Sequence, residues 1–253
     1  DARGKAVFPG LIDAHCHFWG YAKGLRECNL VGTKSFEEVI ERVKTFAATN
    51  KRSWIIGRGW DQNDWVTKMY PDKKILDSLF PNTPVMLKRI DGHAALVNSA
   101  AMRAAGITDS TQVTGGEILR SVTIEKNRRG REIEMAGPAS GILIDNAVDL
   151  VDRVVPALDV KLMKEALLEA QNNCFSVGLT TLDDAGLMKD EIDVLASLET
   201  SGLLQMRLYI MLSDSSSNYA YYLTKGPIKT PHINVRSFKF YGDGALGSRG
   251  AFL

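Results

Sequence analysis

The sequence predicts an α/β protein in which parallel strands alternate with helices. From Asp159 onward the pattern is regular: Asp159 can cap a helix with one apolar face, residues 179–184 (LTTLDD) suit a strand, and a second helix and strand follow. Such alternation is typical of βαβ units. The run Val7–His17, apolar and then polar, adds a buried strand near the start. The 253 residues suit one α/β barrel or two smaller domains. However, only about four strands of the barrel type can be counted, and a closed barrel has eight.

Short helices and strands are predicted between these regions. Ser35–Asn50 is a helix, because Ser35 and Glu38 form an S-x-x-E capping box and apolar residues follow at the helical period. The polar, glycine-containing stretch at 108–140 is expected to form loops or a surface hairpin, and the polar residues between the last two predicted strands are expected to form a loop. The remaining predicted elements are strands at 54–59, 85–90, 205–212 and 235–241 and helices at 72–80, 98–105 and 190–200.

Charge and composition exclude several classes of protein. The chain has 31 Lys+Arg and 30 Asp+Glu, a net charge of +1, so it has no electrostatic reason to bind nucleic acid. The basic run Lys126–Arg131 is interpreted as a solvated loop. Three cysteines without a CxxC pair favour a reducing, cytoplasmic compartment. No apolar run approaches the ~18 residues of a transmembrane helix, and no signal peptide is recognised. We therefore expect neither nucleic acid nor membrane as a partner.

The sharpest chemical signal is the histidine pair in His15-Cys16-His17. Residues i and i+2 of a strand share a face, so the two imidazoles project to the same side with Cα atoms about 6–7 Å apart. Two imidazoles so placed can bind one metal ion. They also follow an apolar strand, at the end where α/β barrels build active sites. We predict His15 and His17 as metal ligands, with two surface histidines as the alternative, and we expect Cys16 to pack on the opposite face.

A second signal is Lys239 within the strand Val235–Tyr241. Side chains alternate along a strand, so Lys239 is expected on the same face as Val235 and Tyr241. Phe238 is then on the opposite face, which suits the side of the sheet that helices cover. A buried amine without a partner has a lowered pKa, and a neutral amine can add carbon dioxide to give a carbamate that bridges metal ions. The alternative is an ion pair with Asp184 or Asp243. The residues alone leave both interpretations open.

Residues after two of the predicted short strands are candidates for substrate contact. Asp91 and His93 follow one strand and are placed like ligand-binding groups, although His93 could equally be a structural histidine. Trp60 follows the predicted strand at 54–59 and could line a pocket or belong to a core. His232 lies in a polar loop and is interpreted as a surface residue.

A glycine motif supports a competing function. Gly242–Gly247 matches G-x-G-x-x-G directly after a strand, which is the dinucleotide-binding fingerprint. That fingerprint requires a following helix and an acidic residue about 20 positions later, and Gly250 disfavours the helix. A nucleotide-binding oxidoreductase is therefore an alternative, and a catalytically inactive, barrel-derived binding module is another.

Five segments are highly specific when they are taken together. Their order and spacing across essentially the whole chain resemble the YtcJ-like branch of the amidohydrolase superfamily, amidohydrolase family 3. The segments are PGLIDAHCH at 9–17, WIIGRGWDQNDW at 54–65, PVMLKRIDGHAALVNSAAM at 84–102, GLTTLDDAG at 178–186 and FKFYGDGALGSRGA at 238–251.

The resemblance implies a distorted (β/α)₈ barrel that binds one or two divalent metal ions, usually zinc. Members hydrolyse C–N bonds other than peptide bonds, such as those of N-substituted formamides. His15 and His17 match the ligands of the first barrel strand, and Lys239 matches the lysine of the fourth, which is carboxylated in many relatives. Asp91 and His93 match the insertion after the first strand, where His93 is a candidate for orienting a small-molecule amide.

The resemblance also implies an incomplete site and a partial TIM-like (β/α) barrel of strands 1–4. Residues 1–19 are expected to form the first barrel strand with its metal motif, 20–158 a large insertion subdomain, and 159–253 barrel strands two to four with their helices. The family places two more histidine ligands and a catalytic aspartate on later strands, and no residue here matches them. We therefore expect a fragment of a metal-dependent amidohydrolase that lacks its catalytic residue, is inactive alone, and self-associates through exposed sheet edges.

Overall fold

The computed structural model describes residues 1, 3–126 and 131–242. It divides the chain into two compact units. Unit 1 combines Asp1–Arg26 with the chain from Leu158 onward, and unit 2 comprises Glu27–Ala157. Of the helices in the described ranges, none has both the length and the apolar character that crossing a membrane requires.

Both units are mixtures of helices and strands. A short 3₁₀ turn at Gln62–Asp64 accompanies the regular elements. In chain order these are β1 (Leu11–Cys16), α1 (Phe18–Gly24), β2 (Cys28–Asn29), α2 (Phe36–Thr49), β3 (Ile55–Trp60), α3 (Lys74–Leu79), β4 (Val85–Arg89), β5 (Ala94–Val97), α4 (Ser99–Ala104), β6 (Gly116–Lys126), β7 (Glu132–Asp145), α5 (Asn146–Asp152), α6 (Val160–Ser176), β8 (Leu179–Leu187), α7 (Lys189–Thr200), β9 (Arg207–Ser213), α8 (Ser216–Lys225), β10 (Ile228–Lys229) and β11 (Ile233–Lys239).

Unit 1 is built on a five-stranded sheet in the order β1-β8-β9-β11-β10. The first four strands are parallel neighbours, and β10 pairs antiparallel with β11. Within the described residues this sheet is open, with β1 at one edge. Helices α1, α6, α7 and α8 cover one face and enclose an apolar core that includes Leu182, Ile210 and Leu195. On β1, Leu11 and Ile12 are 56% and 65% exposed.

Unit 2 is built on a six-stranded sheet in the order β2-β3-β4-β5-β7-β6. Strands β2, β3 and β4 are parallel, and β4, β5, β7 and β6 pair antiparallel. Helix α2 contributes Val39 and Val43 to one apolar cluster, while α4 and α5 contribute Met102 and Val151 to another. The sheet is therefore covered by helices through two separate cores.

Two predicted helix starts are confirmed. Helix α2 begins after Ser35, whose side chain accepts from the Glu38 amide at 3.3 Å. The Glu38 carboxylate bonds to the Lys34 amide at 2.8 Å rather than to that of Ser35. Helix α6 begins after Asp159, whose side chain accepts from the amides of Lys161 and Leu162.

Two predictions from local pattern are wrong in part. The polar loop expected between β9 and β11 contains helix α8, which is capped by Ser215 and held to the core mainly by Tyr222. The pattern missed it because few apolar residues mark its buried face. Val235 and Phe238 both pack against the helix-covered core, since a register shift between Val235 and Ser237 reverses the alternation. Val235 therefore does not share a face with Lys239.

Candidate functional site

The two predicted metal ligands lie side by side at the end of β1. His15 is in the strand and His17 is the N-cap residue of α1. Their ring centroids are 5.9 Å apart and the ring planes meet at 81°. Both residues are exposed, whereas Cys16 between them packs against the helix-covered core of unit 1. Alternation along the strand therefore places the imidazoles on the face away from the helices.

Asp184 of β8 holds the backbone that follows these histidines. Its side chain is 1% exposed, and its Oδ2 accepts from the Trp19 amide at 2.9 Å. Burial raises the pKa of Asp184, although hydrogen bonds from the Trp19 and Phe18 amides and the nearby His17 oppose the increase. The side chain of His17 does not cap α1. The carboxylate of a neighbouring strand thus satisfies the amides at the start of this helix.

This role of Asp184 was not predicted from the sequence. The chain pattern offered it only as an ion-pair partner for Lys239, and that pairing is wrong. Asp184 lies opposite Cys16 and Ile210, both of which pack against the helix-covered core. The aspartate in LTTLDD carried no local signal, because its partner amide is 165 residues away in the chain.

Lys239 occupies the end of β11, in the same sheet as the histidines. It lies opposite Ser213 of β9, and its side chain is near Gly186 of β8, where a Cβ would be 4.0 Å from the Lys239 Cγ. The ammonium is 5.6 Å from the ring centroid of Tyr241. Strands β8 and β9 separate β11 from β1, so three spacings of about 4.8 Å put the two backbones about 14 Å apart across a flat sheet. His15 and His17 are therefore close together at the C-terminal end of β1, whereas Lys239 is at the C-terminal end of a strand three positions away in the same sheet.

The described part of the chain contains no group of three or more His, Cys, Asp or Glu side chains that could hold a metal ion. The metal site predicted at His15 and His17 therefore has no third ligand of these types among the described residues. Asp13, the carboxylate nearest in sequence, lies in the same strand and accepts from the His15 backbone amide at 3.1 Å.

The predicted substrate residues Asp91 and His93 form part of a polar cluster in unit 2. Arg89 binds Asp91 through its Nε at 2.9 Å and its Nη2 at 2.6 Å. Asp91 in turn accepts from the His93 amide at 3.0 Å. Partial burial alone would raise the pKa of Asp91, but these bonds outweigh it and the pKa lies below its ordinary value. The His93 imidazole contacts Asp145, a residue that the sequence did not indicate.

Trp60 lies in the core of unit 2. It is 1% exposed, and its indole Nε1 donates to the Leu87 carbonyl at 2.7 Å. Its ring lies 5.8 Å from that of Trp65 and 6.5 Å from that of Tyr70. Buried to this extent, Trp60 has almost no surface to offer a substrate.

Two further sequence signals have different outcomes. The backbone amide of His232 donates to Glu199 at 2.7 Å, and its Nδ1 lies 3.4 Å from the same carboxylate, so it fastens the turn before β11. Of the motif Gly242–Gly247, only Gly242 is within the described residues. The rest of the motif lies outside the described residues, so the alternative of a dinucleotide site is not tested.

Comparison with known proteins decides the family. Residues 1–253 match the family model described as the amidohydrolase family. The chain belongs to the amidohydrolase family. It is 31% identical over 257 residues to a Bacillus subtilis (strain 168) protein named as the amidohydrolase YtcJ, covering 99% of this chain and 46% of that protein.

Two other curated relatives show the same partial coverage. The chain is 31% identical to protein LONG AFTER FAR-RED 3 of Arabidopsis thaliana, with 98% of this chain and 42% of that protein covered. It is 26% identical to the N-substituted formamide deformylase of Arthrobacter pascens, with 82% and 38% covered. The chain thus spans less than half the length of these curated relatives.

Two solved structures share the fold. Both are described as uncharacterized metal-dependent hydrolases, one from Pyrococcus horikoshii OT3 and one from Pyrococcus furiosus. The first has a TM-score of 0.71 and 22% identity, covering 96% of this chain and 44% of that one. The second has a TM-score of 0.67 and 24% identity, covering 95% and 45%. At this level of identity the likeness establishes the α/β architecture alone.

Proposed function

We propose that the protein is a metal-dependent amidohydrolase that cleaves C–N bonds of small amides other than peptides. The observation that carries the proposal is the pair of exposed imidazoles, 5.9 Å apart, at the end of a strand in a member of the amidohydrolase family. The substrate class follows from the formamide deformylase among the relatives. The four parallel strands of the open sheet in unit 1 are proposed to be the first part of a TIM-like barrel.

The imidazole pair fits a divalent transition metal, and zinc is the proposed ion. Zinc in proteins is bound by imidazole nitrogen, thiolate sulfur and carboxylate oxygen. His15 and His17 would hold it, and Lys239, once converted to a carbamate by carbon dioxide, would supply an anionic oxygen. When bound, the ion supplies Lewis-acid chemistry, polarising the amide carbonyl and lowering the pKa of a water molecule.

Asp184 and His93 are proposed to have supporting roles in this reaction. Asp184 fixes the start of α1 and with it the backbone of His17. His93 is proposed to orient the amide. The other metal ligands and a base that moves the proton to the leaving nitrogen are proposed to lie in the part of the relatives' length that this chain does not cover. We therefore propose that this chain alone binds metal weakly and does not turn over.

A zinc titration of the chain by calorimetry tests the metal site. We expect binding that is lost in His15→Ala and in His17→Ala and retained in His232→Ala, a matched control in which the removed imidazole lies against Glu199. Zinc binding that survives loss of both His15 and His17 would refute the proposed centre.

A hydrolysis assay tests the inactivity of the chain. The zinc-loaded protein is incubated with an N-substituted formamide and the released amine is measured. We expect no release beyond that caused by zinc alone. Turnover that depends on His15 and His17 would support the hydrolase and contradict the claim that a base is missing.

The exposed edge of β1 supports a further proposal about partners. Among the described strands, β1 pairs on one side only, and an open edge with exposed Leu11 and Ile12 favours pairing with a second copy of the chain. Analytical ultracentrifugation is expected to show association that rises with concentration, and a monomer at every concentration would contradict it.

A further inference from the structure

Two polar side chains of unit 2 meet where adjacent antiparallel strands end. Strands β5 and β7 pair with Ala94 opposite Ile144, so the next residues outward, His93 and Asp145, lie opposite each other. The Asp145 amide donates to the His93 carbonyl at 2.9 Å. The His93 Nδ1 lies 2.8 Å from the Asp145 Oδ1. The backbone ladder therefore fixes the side-chain contact.

The side chain of Asp145 contacts His93 and does not cap the helix that follows it. Asp145 is the N-cap residue of α5, where an aspartate usually accepts from amides of the first turn, yet its side chain makes no capping hydrogen bond. Its φ of 47° and ψ of −124° lie in a region that residues other than glycine rarely adopt. Such strain persists only where the surroundings enforce it, and it is concentrated at functional sites.

A chain of polar contacts fixes the backbone on the other side of His93. The amide of His93 bonds to Asp91, Asp91 is held by Arg89, and the Arg89 Nη1 donates to the Tyr70 hydroxyl at 2.7 Å. The imidazole nevertheless keeps 43% of its surface exposed. Its Nδ1 is committed to Asp145, and its Nε2 has no partner within the part of the chain that the structure describes.

We propose that His93 and Asp145 form a dyad that binds the N–H group of a secondary amide. The ligand class rests on the proposed hydrolase function. An ionised carboxylate only accepts hydrogen bonds, so the neutral imidazole carries its proton on Nδ1 and leaves the lone pair on Nε2 free to accept. Asp145 is a positioning residue that acts through the tautomer of His93, as carboxylates behind histidines do elsewhere.

The tautomer can be measured directly by ¹⁵N NMR of the histidine side chains in the whole chain. At pH 8, where ordinary histidines are neutral, we expect His93 to be protonated on Nδ1. In Asp145→Gly, which removes the acceptor and suits the positive φ, the balance should move toward the Nε2–H form that a free imidazole prefers. In Asp145→Asn, the amide oxygen can still accept, so Nδ1–H should remain the major form. Circular dichroism of both variants verifies folding.

Addition of N-methylformamide tests the ligand class. We expect the Nε2 resonance of His93 to shift on titration in the wild type and in Asp145→Asn, and to shift less in Asp145→Gly. An Nε2–H tautomer in the wild type, or a tautomer unchanged in Asp145→Gly, would overturn the dyad. An Nε2 resonance that does not respond to the formamide would overturn the ligand assignment.

The two proposals fail in different measurements. Zinc binding that does not depend on His15 and His17 would refute the proposed metal centre. That result would not affect the tautomer of His93. Loss of the dyad would be seen in the imidazole spectra and would leave zinc binding intact.

Discussion

Substitution of Asp184 by alanine is expected to loosen the histidine pair by freeing the start of α1. The buried carboxylate accepts from the Trp19 amide at 2.9 Å and also from the Phe18 amide. Hydrogen bonds to a charged acceptor contribute about 1.5–3 kcal/mol each. Burial disfavours the ionised carboxylate, as its raised pKa shows, and so offsets part of that sum. We expect Asp184→Ala to lower the free energy of unfolding by about 1–3 kcal/mol in urea titrations.

Asp184→Asn is the matched control. The asparagine oxygen can accept one of the two amides without a buried charge, so the loss is expected to be smaller, about 1 kcal/mol or less. Zinc affinity should follow the same order, with a decrease of about 10–100-fold for the alanine variant, as for other residues that orient metal ligands. An alanine variant as stable as the wild type, or an asparagine variant as damaged as the alanine one, would refute the role given to Asp184.

The pH dependence supplies a separate check on the same residue. A carboxyl whose pKa is raised by folding contributes stability that is fully present below its unfolded pKa, 3.8 for Asp184, and is lost as the pH rises through the folded value. The wild type should therefore gain stability relative to Asp184→Asn when the pH is lowered from 7 toward 4. A relative loss over that range would contradict the burial of the charge.

Two further predictions concern single side chains. Burial, and then the charges of Asp184 and Asp13, raise the pKa of the Cys16 thiol to about 12. At pH 8 its iodoacetamide alkylation, followed by mass spectrometry, should be about a thousandfold slower than that of a cysteine with a pKa of 9.0; alkylation at the ordinary rate would contradict this. Asn98 is fully buried, accepts from the Val85 and Ala101 amides, and donates to the Phe80 and Thr83 carbonyls. Asn98→Ala should cost unit 2 about 3–5 kcal/mol and Asn98→Asp at least as much, because a second acceptor then faces two carbonyls. Urea titration followed by tryptophan fluorescence measures both, and a loss below about 1 kcal/mol would be inconsistent with this network.

Local sequence patterns predicted the structural features that depend on residues close together in the chain. Ser35 and Asp159 mark helix starts because capping involves residues two or three positions away. The proximity of the His15 and His17 rings was also predicted, although His17 lies just beyond β1, at the N-cap of α1. The family resemblance was carried by ordered motifs over the whole chain, and it is confirmed by the match to residues 1–253.

Contacts between distant segments could not be predicted in this way. Asp145 meets His93 across 52 residues because β5 and β7 pair in one register, and Asp184 meets Trp19 across 165. No sequence period encodes either contact. The prediction that Val235 and Lys239 share a face was wrong for a related reason. A bulge shifts the alternation by one residue, and nothing in the composition of the strand indicates where a bulge occurs.

The interruption of unit 1 by unit 2 has a consequence for the order of folding. The first strand and helix of unit 1 precede Glu27, and their partners begin only at Leu158, so helix α1 must find α6 across a loop of roughly 130 residues. Closing such a loop in an unstructured chain costs about 4 kcal/mol of entropy. If Glu27–Ala157 folds first, the segment between α1 and α6 has fewer conformations, and the entropy lost when the two helices meet is smaller. In that case the pairing of β1 with β8 depends on a segment that contains neither His15 nor His17, and slow folding of that segment would delay formation of the histidine pair.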